Sequence, residues 1–306
     1  MNYQISDIQR FCLHDGAGIR TTVFLSGCPL TCRWCHNPET CNEAPLFYYN
    51  EEACLHCGAC AIVCKSGAHC FIDSEHRLRR ELCSHCGSCL SVCPCNAVTP
   101  TTQMMTADEI LQAVLRDRTY YGENQGGVTL SGGEPLWHFE EALALLRLFK
   151  AHQLNTCVET SGAFAADTDG IAALTSLCDH ILFDIKDTDA IRLAEHTGAH
   201  LPDILDKLRA LDQSGGRTTL RVILLKSINC SKKHALSIAE LYHSLTFCDY
   251  IELLPYHPFG NAKAKQLGLS VNAHAEWQIE AADIEEFAGC LTEQDVPVKY
   301  HGDLHK

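Results

Sequence analysis

Nowhere among the 306 residues is there a run of eighteen apolar residues, and the opening Met1-Asn2-Tyr3-Gln4-Ile5-Ser6-Asp7 carries neither the basic nor the apolar region of an export signal. Membrane insertion and export are not expected, and the cytoplasm is the expected location. Basic residues are also scarce: 24 Lys and Arg stand against 38 Asp and Glu, a net charge of -14. Nucleic-acid binding rests on cations that neutralise phosphates, so nucleic acid is not an expected partner. What the chain holds in quantity is cysteine, 20 residues of it. In a small secreted protein these would read as disulfides. In a leaderless chain of this length, whose 46% hydrophobic content is ample for a packed core, they read as metal ligands.

Three of them stand in Cys28-Pro29-Leu30-Thr31-Cys32-Arg33-Trp34-Cys35, a C-x3-C-x2-C spacing with an aromatic residue before the last cysteine. Three thiolates close three corners of a 4Fe–4S cube, and no fourth cysteine stands at a matching local spacing, so one iron is left open. An open iron on a soft-ligand cluster is a place for a small molecule to bind. At this spacing the expected ligand is S-adenosylmethionine, chelated through its methionyl amino and carboxylate groups. One electron from the cluster would break the sulfonium to methionine and a 5′-deoxyadenosyl radical, chemistry that belongs to the cofactor and requires no acid, base or nucleophile. A zinc knuckle or a few buried thiols are the plainer alternatives for the triple taken alone.

From about Phe47 to Thr102 the composition changes. Cys54-x2-Cys57-x2-Cys60-x3-Cys64 and Cys83-x2-Cys86-x2-Cys89-x3-Cys93 flank a polar stretch, and each has the bacterial ferredoxin spacing. Pro94 follows the second run, but Lys65 follows the first. In such pairs the fourth cysteine of one run ligates the cluster of the other. Cys54, Cys57, Cys60 and Cys93 are therefore expected around one cube, and Cys83, Cys86, Cys89 and Cys64 around the other. Zinc would also accept four thiolates, although tight triplets suit one face of a cube better than two separate tetrahedra. Residues 47–102 are expected to form an inserted ferredoxin-like domain, with 1–46 and 103–306 as the body of the protein and three 4Fe–4S clusters in all. Cys70 and Cys95 have no place in this scheme. Cys12, Cys41, Cys157, Cys178, Cys230, Cys248 and Cys290 are expected to be small buried hydrophobes.

Outside the insert the patterns alternate. Strands are expected at Thr21–Leu25, Gly127–Ser131, Asn155–Glu159, His180–Lys186, Thr218–Leu225, Tyr250–Leu254 and Val296–Tyr300. Between the later ones, helices are expected at Phe139–His152, Asp169–Leu177, Pro202–Leu211, Lys232–Leu245 and Ala281–Leu291. Thr106-Ala107-Asp108-Glu109 is a capping signature for one more. Alternation of this kind implies an α/β fold with a parallel sheet whose loops gather at one edge. Six β/α units, with the cysteine strand first, point to an open partial barrel, and a flavodoxin-like doubly wound sheet is the alternative. Several chemistry-bearing residues fall at strand ends: Gly132, Gly133 and Glu134, then Glu159-Thr160, then Asp184 and Lys186, then His257, and of these Gly132, Gly133, Glu134, Asp184, Lys186 and His257 are expected to bind the cofactor. Glycines there let backbone approach a ligand, and a carboxylate and an ammonium would face the same mouth. A plain turn and a buried ion pair are the alternatives.

These residues together resemble the radical SAM activating enzymes of glycyl radical enzymes. The resemblance rests on Arg10-Phe11 with His14 to Thr21, Cys28 to Asn37, Ser131-Gly132-Gly133-Glu134-Pro135, Asp184-Ile185-Lys186 and Glu252 to His257. The ferredoxin-type insert makes the chain similar to the longer activators, which serve dehydratases, decarboxylases and C–N or C–S lyases. The resemblance implies a partial (β/α)6 barrel, S-adenosylmethionine contacts at Trp34, Cys35, His36, Gly133, Asp184, Lys186 and His257, and a monovalent cation near Glu159, Thr160, Phe183 and Asp184. It also implies that the loop of Asp15, Gly16, Gly18 and Arg20 holds the glycine segment of a partner enzyme. Ala17 stands where the family carries proline, and Glu159 where it often carries aspartate. A glycyl radical enzyme is the implied protein substrate, with a flavodoxin or ferredoxin as electron donor. Two rival readings share part of this pattern: a radical SAM enzyme acting on a small molecule, and an electron carrier built on the ferredoxin segment.

Overall fold

The computed structural model describes residues 1–41, 47–73, 75–122, 126–271 and 274–300. Its strands in chain order are β1 Asn2–Cys12, β2 Arg20–Leu25, β3 Phe47–Tyr49, β4 His69–Ile72, β5 Glu75–Leu78, β6 Val98–Pro100 and β7 Gln103–Thr106. There follow β8 Gly127–Gly132, β9 Asn155–Thr160, β10 His180–Ile185, β11 Thr218–Leu224, β12 Cys248–Pro255 and β13 Val298–Tyr300. Nine of them make one sheet in the order β13-β12-β11-β10-β9-β8-β2-β1-β7. From β2 to β13 every neighbouring pair is parallel.

Spatial order repeats chain order along this parallel run, and right-handed crossovers in an unreversed order put the helices on one side. The sheet therefore curls about its other face, and because β13 and β7 end it without pairing with each other it stays open among the described residues. A doubly wound sheet needs a point where strand order reverses; none exists among the described residues, which removes the flavodoxin-like alternative. The crossovers are the helices Phe139–Ala151, Thr168–Leu177, Ala190–Thr197 with Leu201–Gln213, Lys232–His243, and Gly260–Leu267 with Ala281–Thr292. The capping signature is realised: Thr106 Oγ1 accepts from Glu109 N at 3.3 Å, and the Glu109 carboxylate accepts from Thr106 N at 2.7 Å, opening the helix Ala107–Leu115. An antiparallel edge of β1 and β7 extends the sheet beyond the strand with which the sequence pattern begins it.

Strand alternation gives the sheet two unlike faces. Val23, Leu130, Val158, Ile181, Phe183, Leu220, Val222 and Leu253 join Leu143, Leu146, Phe149, Leu174, Leu208 and Leu291 of the helices in one apolar core. Each such buried side chain contributes about 1.5–3 kcal/mol. The alternate positions carry polar groups: Thr22, Thr129 and Cys157 lie in register across β2, β8 and β9, and Asp184, Arg221 and Glu252 across β10 to β12. The concave face is thus charged and hydroxylated.

The segment from Phe47 to Pro100 forms two small antiparallel pairs, β3 with β6 and β4 with β5, apart from the main sheet. The expected boundary at residue 46 falls outside the described residues. Arg80 ties this segment to the barrel, donating to Phe47 O at 3.1 Å and to Gln266 O at 2.5 Å, near the C-terminus of the helix Gly260–Leu267. Among the described residues no helix is long and apolar enough to cross a membrane.

Candidate functional site

β2 ends at Leu25, and the chain then runs without regular structure through Cys28, Cys32 and Cys35. Its path is set by bonds from several elements: Gly27 N to Thr40 O at 2.9 Å, Thr31 N to Thr197 O at 2.9 Å, and Arg33 N to His196 O at 3.0 Å. Lys263 braces the far side through Asn37 Oδ1 at 2.9 Å and Glu39 Oε1 at 2.6 Å. The Trp34 side chain is buried with Leu225, Tyr256 and Trp277, so its indole anchors the loop. His36 and His257 lie edge to face with centroids 4.6 Å apart, and Phe259 completes an exposed aromatic group beside Cys35.

Burial pushes the Cys28 thiol up to about 12 and the Cys32 thiol up to about 11, and the neighbouring thiols add to both. Cys35 is raised by its hydrogen bond with Cys41 and by burial; the two sulfurs lie 3.8 Å apart. Three thiols that oppose one another's ionisation are a donor set that a cationic cluster would relieve. Lys186 is the nearby cation. Burial works against its charge, but Asp184 at 3.2 Å and the Cys32 and Cys35 thiols together raise it above its ordinary value.

The strand-end turn after β8 packs directly on this loop. Gly133 N donates to Leu25 O at 2.9 Å and Glu134 N to Gly27 O at 2.8 Å. A Cβ on Gly133 would fall 2.3 Å from Gly27 O, and one on Gly132, which has φ +130°, would fall 2.1 Å from Leu25 O. Only glycine fits at both. Glu134, expected to bind the cofactor, instead turns inward and is 1% exposed. It accepts from Thr160 Oγ1 at 2.7 Å, Ser161 N at 2.9 Å, Ser161 Oγ at 2.7 Å and Leu136 N at 3.2 Å, and so clamps the glycine turn to the end of β9.

On the concave face Arg221 pairs with Glu159, with Glu252 at 2.8 Å, and with the His14 carbonyl at 2.7 Å. Ser131 Oγ donates to Glu159 at 2.5 Å. Glu159 is thus engaged, whereas Asp184 Oδ1 is buried with no hydrogen-bond partner among the described residues. Above this network sits the Asp15 to Arg20 loop. Asp15 accepts from Thr22 Oγ1 at 2.6 Å, and Gly16 and Gly18 are partly or fully exposed. Arg20 corrects the expectation of a charge offered to a partner. It is 1% exposed, and its guanidinium donates to Thr129 Oγ1 at 2.7 Å, Val128 O at 2.7 Å and Asn155 Oδ1 at 3.0 Å. Burial of so strong a donor demands these acceptors, so Arg20 fixes the loop from beneath.

In the Phe47–Pro100 segment both cysteine runs adopt the same twist: His56 and His85 have φ 52° and 54°, and Gly58 and Gly87 have φ 78° and 72°. Cys60 is raised by burial, with Cys54 and Cys57 adding to it, and Cys89 by burial, with Cys83 and Cys86 adding, so each triplet is gathered in one place. Backbone amides point at sulfur, His69 N to Cys64 at 3.5 Å, His85 N to Cys83 at 3.4 Å and Ala97 N to Cys93 at 3.2 Å, an arrangement that suits cluster-bound thiolates. Cys95 Sγ lies 3.8 Å from Cys93 Sγ. Cys60 also groups with His69 and His76, ligand atoms within 4.8 Å of one another, which cysteine spacing does not reveal. Cysteine spacing is equally silent on Arg221, whose signal is a lone charge within the run Thr218–Leu224.

A family described as a 4Fe-4S single cluster domain matches residues 14–188. The choline trimethylamine-lyase activating enzyme of Oleidesulfovibrio alaskensis is 37% identical over 302 residues, covering 96% of either chain. The isethionate sulfite-lyase activating enzyme of Nitratidesulfovibrio vulgaris is 38% identical over 264 residues, 84% of this chain and 85% of that one. Streptococcus suis SuiB bound to precursor peptide SuiA shares the fold at a TM-score of 0.55 and 11% identity, covering 91% of this chain and 47% of that one.

Proposed function

The chain belongs to the radical SAM activating enzymes of glycyl radical enzymes, and from that premise we propose how its own residues carry the activity. Cys28, Cys32 and Cys35 hold a 4Fe–4S cluster with one iron open. With S-adenosylmethionine bound there, the cluster supplies the electron that cleaves it to methionine and the 5′-deoxyadenosyl radical that takes hydrogen from a partner's glycine. The Gly132-Gly133 turn, held by Glu134, offers close backbone to the methionyl end, while Asp184 and Lys186 offer one charge of each sign. His36 and His257 flank the open side of Cys35. The loop of Asp15, Gly16 and Gly18, fixed from beneath by Arg20 and tied through His14 to Arg221, receives the glycine segment of the partner enzyme.

The same proposal takes residues 47–102 as an insert with two further clusters, one on Cys54, Cys57, Cys60 and Cys93 and the other on Cys83, Cys86, Cys89 and Cys64. Cys57 and Cys86 are exposed, which supports electron entry from a small carrier such as flavodoxin or ferredoxin. A monovalent cation near Glu159, Thr160, Phe183 and Asp184 is supported by Asp184 Oδ1, which has no partner among the described residues, and opposed at Glu159 by Arg221, so Asp184 is its main ligand. So many unpaired thiols suit the reducing cytoplasm.

The observation that carries this reading is the pair of backbone hydrogen bonds that seat the glycine turn on the cysteine loop. The test is to mix anaerobically reconstituted protein, S-adenosylmethionine and a reductant with candidate glycyl radical enzymes, beginning with any whose gene is found next to the one for this chain. A glycyl doublet in the EPR spectrum is expected, together with 5′-deoxyadenosine. Cleavage without a doublet would favour the small-molecule rival, and absence of both would favour the electron carrier.

A further inference from the structure

The antiparallel register of β4 and β5 sets His69 opposite Leu78 and His76 opposite Phe71, so the two histidines are diagonal neighbours on one face. They are 3% and 5% exposed. Phe47 stacks on His69 with centroids 5.9 Å apart, and Tyr49 and Phe71 pack on His76 at 4.8 and 5.2 Å. Within this aromatic enclosure runs a chain of short contacts: Tyr49 Oη to His76 Nδ1 at 2.7 Å, and His76 Nε2 to His69 Nδ1 at 2.9 Å. His76 Nε2 is also 3.6 Å from Cys60 Sγ, and the Cys54 thiol lies close enough to the Tyr49 hydroxyl to add to burial in raising it.

Two buried imidazoles and a phenol bring few donors to a place crowded with acceptors, so the direction of each proton matters. The chain has two settings. In one, Tyr49 gives its proton to His76 Nδ1, and His76 Nε2–H lies between His69 and the Cys60 sulfur. In the other, His69 gives to His76 and His76 to Tyr49, which leaves the phenolic proton for the Cys54 sulfur. Either setting directs one donor at one thiolate of the first run. Hydrogen bonds to sulfur draw negative charge from a cluster and make its reduced form easier to reach.

We propose that Tyr49, His76 and His69 form an outer hydrogen-bond chain that raises the reduction potential of the auxiliary cluster on the first cysteine run. The chain acts through Cys54 or Cys60, so all three are positioning residues. This rests on the reading that Cys54, Cys57 and Cys60 hold a cluster, and the iron count of the wild type tests that reading separately.

The experiment is an EPR-monitored redox titration of the reconstituted holoenzyme at one fixed pH, without S-adenosylmethionine or partner. Wild type is compared with Tyr49→Phe, His76→Phe, the double variant and His76→Gln. In the double variant one reduction wave should move to lower potential, the others should stay, and iron content should be unchanged. His76→Gln, which keeps an N–H, should recover part of the shift. Tyr49→Phe removes a single oxygen and serves where the histidine variants fail to fold. Unmoved waves in the double variant at full iron content would overturn the proposal. So would a loss of about four irons on His76→Phe, which would make the histidine a ligand. One tightly held zinc per wild-type chain in place of the first cluster would overturn it as well, because Cys60, His69 and His76 would then be a metal site of their own.

Discussion

Replacing Arg221 with methionine keeps most of the side chain's length and removes its charge from the concave face. Arg221 is 4% exposed and sits between Glu159 and Glu252, with its third contact on the His14 carbonyl. Taking one partner from a buried ionic group costs roughly 3–5 kcal/mol, because the carboxylates left behind remain out of water without compensation. The cost depends on pH in a defined direction. Burial already raises the Glu159 carboxyl above its ordinary value, with Arg221 opposing; without the guanidinium it rises further. An acid whose folded-state value lies above its unfolded value binds more protons when folded. Its contribution is therefore full below the unfolded value, near 4.3, and lost as pH rises through the folded one. Arg221→Met should accordingly show its full deficit at pH 8 and recover on acidification, by about 1.4 kcal/mol for each pH unit below the new carboxyl value. Anaerobic urea unfolding at pH 8 and pH 5.5, read by circular dichroism against wild type, measures this. A deficit under about 1 kcal/mol at pH 8, or one that grows on acidification, would refute the reasoning.

Other outcomes follow from the site. Reconstituted wild type should hold about twelve irons per chain, and triple alanine replacement of Cys28, Cys32 and Cys35 should remove about four; saturation at four in the wild type would contradict the auxiliary clusters. Gly133→Ala forces a Cβ against Gly27 O, so S-adenosylmethionine should bind roughly tenfold or more weakly by calorimetry at unchanged iron content. Unaltered affinity would separate the turn from the ligand. Asp15→Ala breaks the 2.6 Å bond from Thr22, and it should slow glycyl radical formation more than uncoupled S-adenosylmethionine cleavage; equal slowing of both would place Asp15 outside partner binding.

The parallel strands were legible because each is a short β-branched run set between helical periods, and β8 to β11 fall within a residue or two of the expected spans. The antiparallel edge was not. β1 carries Gln4, Ser6, Asp7 and Gln9 among its apolar residues, and its partner β7 lies beyond the whole cysteine-rich segment, so neither strand announces its pairing locally. The helix Gly260–Leu267 was missed because Gly-Asn-Ala-Lys-Ala-Lys-Gln-Leu has no apolar stripe; it is held by close packing of Gly260 on the Cys35 carbonyl. Cysteine triplets are readable because iron ligation imposes spacing along the chain. Arg20, Glu134 and Arg221 are set by what lies across the sheet, where local sequence carries little signal. A charge beside glycines reads as exposed, and only the acceptors on β8 and β9 reveal why Arg20 turns inward.

The central claim is that the radical made at the Cys28–Cys32–Cys35 site is passed to a backbone glycine of another protein. The most direct measurement uses a glycyl radical enzyme that this protein activates, labelled with α-deuterated glycine and incubated with this protein, reductant and unlabelled S-adenosylmethionine. Deuterium should appear in 5′-deoxyadenosine as the glycyl signal grows, with one label transferred per radical formed. Unlabelled 5′-deoxyadenosine in the presence of a fully deuterated partner, or deuterium arriving only from a labelled small molecule, would contradict the claim.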